Sequence, residues 1–170
     1  MTNVRGCNLP DDLYYLIEKH VWAKPVEGGV IRVGITAVAA KLSGGKLAAL
    51  TVKAKNIGQE VKQSKSLATV ESSKFVGPVP APVTGILLRA NDKLVSDPNL
   101  AISDPYGEGW VAEMQPSDWE GEKGALATGA AGIAAYQAKL EADGISCSLS
   151  YNQLFGFANE LTIFAQINFW

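Results

Sequence analysis

The 170-residue sequence is poor in the residues that metal and disulfide chemistry need: it has two cysteines, Cys7 and Cys147, and one histidine, His20. The cysteines stand almost a chain length apart without Cys-x-x-Cys spacing, and too few soft ligands lie together for a zinc site, so no metal is expected. An excess of positive charge is also missing. Fifteen Lys and Arg against seventeen Asp and Glu give a formal charge of -2, which argues against the basic surface of a nucleic-acid or anionic-membrane binder. No apolar run reaches transmembrane length, so no membrane insertion is expected. Residues Met1 to Cys7 lack the apolar stretch of a signal peptide, and the expected location is cytoplasmic. What the chain does have is 47% hydrophobic residues, enough for a core without staples.

The length suits one domain with appended terminal elements. Residues 1–19 read as an N-terminal helical extension, 20–119 as a β-rich domain, and 120–170 as a helix and terminal strand packed on it. In the first, Leu9 to Lys19 opens with Pro10, Asp11 and Asp12, which suit a first helical turn. Short β-prone runs follow at 29–35, 47–52 and 66–71, punctuated by glycine and proline, with room for one helical turn over 37–42. The fold class expected is mostly β with flanking helices, built as a flattened β-barrel or sandwich. An internal similarity, Gly58-Gln-Glu-Val61 then Leu67 against Asn91-Asp-Lys-Leu94 then Leu100, recurs at an offset of 33 residues. It suggests two like β units related by a pseudo-twofold, unless the likeness is chance. The Ala-rich stretch 125–142 reads as a helix closing at Asp143-Gly144, and Leu149 to Trp170 as an apolar terminal strand.

Lys74 falls between a strand ending near Ser72 and another beginning near Val83. On composition alone it is an ordinary loop lysine. Its surroundings are more specific: Gly58 lies sixteen positions before it, Gly85 eleven after it, and Glu71-Ser72-Ser73-Lys74 and Pro82-Val-Thr-Gly85 flank it. Together with His20-Val-Trp22, Val33-Gly-Ile-Thr36 and Asp104-Pro-Tyr-Gly-Glu-Gly-Trp110, this ordered series resembles the H protein of the glycine cleavage system over about His20 to Trp119. The resemblance implies a lipoyl-domain-like fold and a non-enzymatic carrier, with lipoate joined to Lys74 by an amide. Gly58, Glu71, Ser72, Ser73 and Gly85 would set the attachment-loop geometry. A free lysine amine is protonated near neutral pH, so acylation requires a lipoate ligase or other lipoyl-assembly enzyme. Dihydrolipoyl dehydrogenase is a further implied partner, and a monomer is expected. A biotin carrier would present Met-Lys-Met, whereas this chain has Ser73-Lys74-Phe75.

Three positions depart from the H-protein pattern. Val21 stands where an acidic residue is common, Leu42 where a histidine is frequent, and Pro78 where an aspartate is frequent. Their loss removes polar partners that an ammonium cargo would need. With Cys7 and Cys147 near the ends, the chain also resembles the lipoate-binding proteins of sulfur-oxidising prokaryotes. That resemblance implies delivery of sulfur intermediates to a heterodisulfide-reductase-like complex, with aminomethyl transport in glycine cleavage as the alternative. Cys7 and Cys147 are candidate redox thiols, or else passive thiols or a disulfide joining the termini. His20 is a candidate contact for the arm or a structural histidine beside Trp22. An unmodified assembly subunit and a thiol oxidoreductase remain competing classes.

Overall fold

A computed structural model describes residues 1–148; the strand expected within 149–170 lies outside the described residues. The strands are β1 (Thr2–Val4), β2 (Cys7–Leu9), β3 (Tyr14–Leu16), β4 (Val21–Pro25), β5 (Ile31–Ile35), β6 (Ala49–Val52), β7 (Glu60–Val61), β8 (Ser66–Glu71), β9 (Val76–Pro80), β10 (Gly85–Ala90), β11 (Ala112–Pro116) and β12 (Ala127–Thr128). The helices are α1 (Ala37–Leu42), α2 (Lys93–Ser96), α3 (Leu100–Ser103), α4 (Trp119–Glu122) and α5 (Gly129–Ala142). A large sheet runs β12-β3-β4-β5-β11-β10-β7, a small one β6-β8-β9, and β1 pairs with β2. The chain is mostly β with a C-terminal helix, but the described sheets stay separate and do not close into a barrel.

Two apolar clusters hold these parts together. One takes Ile31, Val33, Leu87 and Met114 from the large sheet and Leu50, Leu67, Val70 and Val79 from the small one. Each such side chain contributes about 1.5–3 kcal/mol over leaving it in water. The other gathers Val4, Leu9, Leu13, Tyr15 and Trp22 beneath Ile133, Tyr136 and Leu140 of α5.

That second cluster explains why the N-terminal helix expected over 9–19 does not form. Leu13 and Tyr15 are buried at strand spacing, and β3 pairs with β4 through Tyr14–Ala23, Tyr15–Trp22 and Leu16–Val21. Only one 3-10 turn, Ile17–Lys19, is helical. Pairing and the β preference of two adjacent tyrosines outweigh the helix-start signal. Residues 1–19 are thus part of the sheet and the core rather than a helical extension. The 33-residue similarity also fails as a structural repeat. Val61 and Leu67 lie on β7 and β8, whereas Leu94 and Leu100 lie on α2 and α3. The two halves share apolar anchors, Leu100 only partly buried, without sharing elements.

The His20-Val-Trp22, Val33-Gly-Ile-Thr36 and 104–110 signatures find a common physical reason in Trp22. It pairs with Gly34 across β4 and β5, and a Cβ on Gly34 would sit 2.5 Å from the indole ring. The indole N–H is shared between the carbonyls of Ile35 and Pro105, each at 3.0 Å. Thr36 then caps α1, its hydroxyl accepting from Ala39 N at 3.4 Å. Tyr106 accepts from Ala37 N at 3.0 Å and donates to the Asn8 carbonyl at 2.7 Å. Trp110, at the end of the same 104–110 turn, lies beneath Arg32 and Arg89, both of which also pair with Glu113. Those pairings, Arg89 first, hold the Glu113 carboxyl below its usual range.

Gly34→Ala is therefore expected to lower equilibrium stability by about 1–3 kcal/mol through overpacking against Trp22. Urea unfolding followed by tryptophan fluorescence measures this; an unchanged midpoint would show that the indole can move aside.

Candidate functional site

Lys74 sits at the tip of the β8–β9 hairpin. The second strand begins at Val76, not near Val83 as expected from the sequence. Pro78 and Pro80 lie within this strand. β9, however, is an edge strand among the described residues, where a missing N–H is tolerated. Glu71 pairs with Val76, leaving Ser72-Ser73-Lys74-Phe75 as the loop.

Ser72 builds that loop. Its hydroxyl accepts from the backbone N–H of Lys74 at 3.3 Å and of Phe75 at 3.1 Å, and its own N–H donates to the Phe75 carbonyl at 2.8 Å. Ser72 is buried while Ser73, Lys74 and Phe75 are exposed. A short polar side chain closing its own turn is a standard use of serine, and here it fixes where the lysine points. Glu71 is exposed, and its carbonyl accepts from Ala48 N at 2.8 Å, which ties the base of the hairpin to the segment after α1.

Two glycines not singled out in the sequence shape the surroundings. Gly44, in the turn that ends α1, has φ +86, and a Cβ there would lie 3.2 Å from Lys74 Cδ and 3.7 Å from Nζ. The lysine stem thus runs along a stretch of bare backbone. Gly77 has no side chain where the Phe75 ring lies over it; a Cβ would overlap that ring. Phe75 remains 51% exposed at the tip, and Leu42, two residues before Gly44, is 48% exposed. The Gly44-Gly45 doublet after α1 is a helix-stop signal, and it was the available clue to the first. Nothing short of the hairpin itself points to the second.

Gly58 and Gly85 belong elsewhere. Gly58 adopts φ +80 and donates to the Leu87 carbonyl at 2.7 Å. Gly85 pairs with both Val61 and Pro116, and a Cβ there would lie 2.5 Å from the Gln115 carbonyl. Both glycines serve the β7–β10–β11 part of the large sheet and reach the hairpin only through the core.

The remaining candidates lie around α1 and α5. His20 Nδ1 is 2.8 Å from the Tyr136 hydroxyl, which is also 3.0 Å from Thr36 Oγ1. Thr36 donating to Tyr136, and Tyr136 to a neutral His20, satisfies the chain. Cys7 and Cys147 are joined in a disulfide with Cα atoms 4.9 Å apart. Arg5 and Gly6, both at positive φ, form the turn between β1 and β2. Cys147 N donates to the Arg5 carbonyl at 2.9 Å, and Arg5 Nε to the Ile145 carbonyl at 2.7 Å. Of the sequence alternatives, the joined termini are the one found.

Comparisons with known proteins bear on this geometry. The family profile of the glycine cleavage H-protein matches residues 13–139. The chain is 40% identical to glycine cleavage system H protein 5 of Aquifex aeolicus, over 86% of this chain and 99% of that one. It is 37% identical to the probable glycine cleavage system H protein 2 of Sulfurisphaera tokodaii, over 86% and 98%. The crystal structure of a glycine cleavage system H protein from Mycobacterium marinum superposes with a TM-score of 0.64 at 31% identity, covering 81% of this chain and all of the other.

Burial, and then the charge of Lys139, lower the His20 pKa below its ordinary 6.5. The fold therefore favours the neutral ring. This contribution to stability is complete above the unfolded-state value of about 6.5 and is lost as pH falls through the lower folded-state value. Urea midpoints measured between about pH 7.5 and about pH 5 should decline for the wild type and less steeply for His20→Gln. Equal slopes would remove His20 as the source.

Proposed function

The chain belongs to the glycine cleavage H-protein family, and from that premise we propose that Lys74 is the residue acylated by lipoate. Proteins of this family are carriers holding lipoate on a lysine. The observation that carries the assignment is the pinned, exposed position of Lys74, with its backbone N–H held by buried Ser72 and its stem beside Gly44. A modifying enzyme needs an amine presented in this way. Bound lipoate supplies a ring disulfide on a flexible arm, opened and closed by thiol–disulfide exchange. Gly44 leaves room along the stem, and Leu42 and Phe75 offer apolar surface for an apolar chain.

For the cargo, the family and its relatives support an aminomethyl group passed between glycine decarboxylase and aminomethyltransferase. Lipoyl-assembly enzymes and dihydrolipoyl dehydrogenase complete the set of partners. One observation favours a second reading. The three positions that depart from the H-protein pattern hold buried Val21, exposed Leu42 and exposed Pro78, none of which can accept a hydrogen bond from an ammonium through its side chain. A sulfur cargo destined for a heterodisulfide-reductase-like complex needs no such acceptor.

Incubation with lipoate, ATP and a ligase should add one lipoyl mass, mapped to the Lys74 peptide and absent in Lys74→Arg. Ser72→Ala should lower ligase kcat/KM by roughly fivefold to tenfold, the equivalent of about 1–1.5 kcal/mol from a loosened tip. Modification at another lysine would overturn the assignment. The loaded carrier, given glycine and glycine decarboxylase, should then gain an aminomethyl mass. No gain there, with a gain of sulfur mass from a sulfane donor, would transfer the assignment to the second reading.

A further inference from the structure

We infer that Cys7 and Cys147 are a second redox pair served by the arm on Lys74, and that the arm closes their disulfide; this rests on the lipoyl assignment above. The basis is their placement along α1. At the start of this helix, Cys147 Sγ lies 3.7 Å from the Ala37 carbonyl. Past its other end, Gly44 meets the Lys74 stem. The six residues of α1 span about 9 Å at the helical rise of about 1.5 Å, and Gly44 follows two residues past its end. An acyl chain extending beyond the lysine amine is of comparable length. Ala37 and Lys41, four residues apart, lie on one side of the helix, and both are partly exposed, as is the Gly44 turn beyond.

The two cysteines differ in access. Cys7 is fully buried, whereas Cys147 is partly exposed. The Cys147 thiolate attacks one ring sulfur, breaking the ring S–S bond and forming a mixed disulfide; the other ring sulfur takes up a proton. The Cys7 thiolate then attacks Cys147 Sγ, breaking the mixed disulfide and releasing the arm sulfur as a thiol. Two electrons pass from the cysteines to the arm, and the two cysteine protons end on its sulfurs. The products are the Cys7–Cys147 disulfide and a dithiol arm.

Two features favour that direction. Strand β2 and the contacts of Arg5 with Ile145 and Cys147 hold the partners side by side, so the second attack is intramolecular and oriented. The bond also closes a loop spanning 140 residues, whose closure in the unfolded chain is entropically costly. A folded, preorganised pair is thus a strong reductant for a ring disulfide brought to it.

The experiment starts from lipoylated chain, fully reduced, freed of reductant and kept anaerobic. NAD+ and catalytic dihydrolipoyl dehydrogenase then withdraw electrons from the arm. Intact mass of the starting material verifies the Lys74 adduct; without it the carrier reading itself fails and takes this inference with it. With the adduct present, alkylation and peptide mapping should show Cys7 and Cys147 becoming protected together, at a rate independent of protein dilution. Closure should be at least about tenfold faster than in Lys74→Arg, which retains both cysteines but no arm. In Cys7→Ser, acid quenching should recover a mixed disulfide between Cys147 and the arm. Cysteines that stay alkylatable while the arm is oxidised, or that close equally fast in Lys74→Arg, would overturn the inference and leave the carrier assignment standing.

Discussion

The flat contact between Trp22 and Gly34 governs the rest of the molecule. It needs a residue without a side chain in the middle of β5 and an indole able to donate to two carbonyls at once, Ile35 and Pro105. The second carbonyl belongs to the turn that carries Tyr106, and Tyr106 in turn holds the first N–H of α1 and the Asn8 carbonyl next to Cys7. One stacking contact therefore locates the large sheet, the short helix and the N-terminal hairpin relative to each other. Such a contact tolerates no added methyl group, because interiors are packed to crystal-like density.

Helix α1 then acts as a spacer. Its length is set by the Thr36 cap at one end and, at the other, by Gly44 and Gly45, whose φ angles are both positive. Cys147 and the Lys74 stem meet its two ends. Neither meeting is visible from sequence distance, since Lys74 and Cys147 are 73 residues apart. The lysine itself is fixed by a separate and very local device, the Ser72 hydroxyl. The site thus combines a rigid platform with a tip that organises itself.

How legible this was in the sequence varied with the range of the cause. The turn of helix over 37–42, the strand over 66–71 and the close of α5 at Asp143-Gly144 were readable because caps and apolar spacing act within a few residues. The proposal for Lys74 rests on ordered flanking residues, not on anything intrinsic to a lysine. The N-terminal segment was misread because Pro10, Asp11 and Asp12 imitate a helix start while the decisive partner, β4, lies further along the chain. β9 was missed because its prolines are acceptable only on an edge, a fact of sheet order. Gly58 and Gly85 kept their value as landmarks, but they work in the large sheet and not beside the lysine.

Those same prolines have a consequence for the sheet edge beside the proposed attachment tip. A bare sheet edge offers a row of amide donors to any strand that passes, including the edge of another copy. On β9, Pro78 and Pro80 remove donors from that row, next to the exposed tip. Strand addition at this border would be left with gaps, so binding here must come from side chains and from the turn. Contacts of that kind can be tuned singly and released quickly. The hairpin edge is built against extension by another strand.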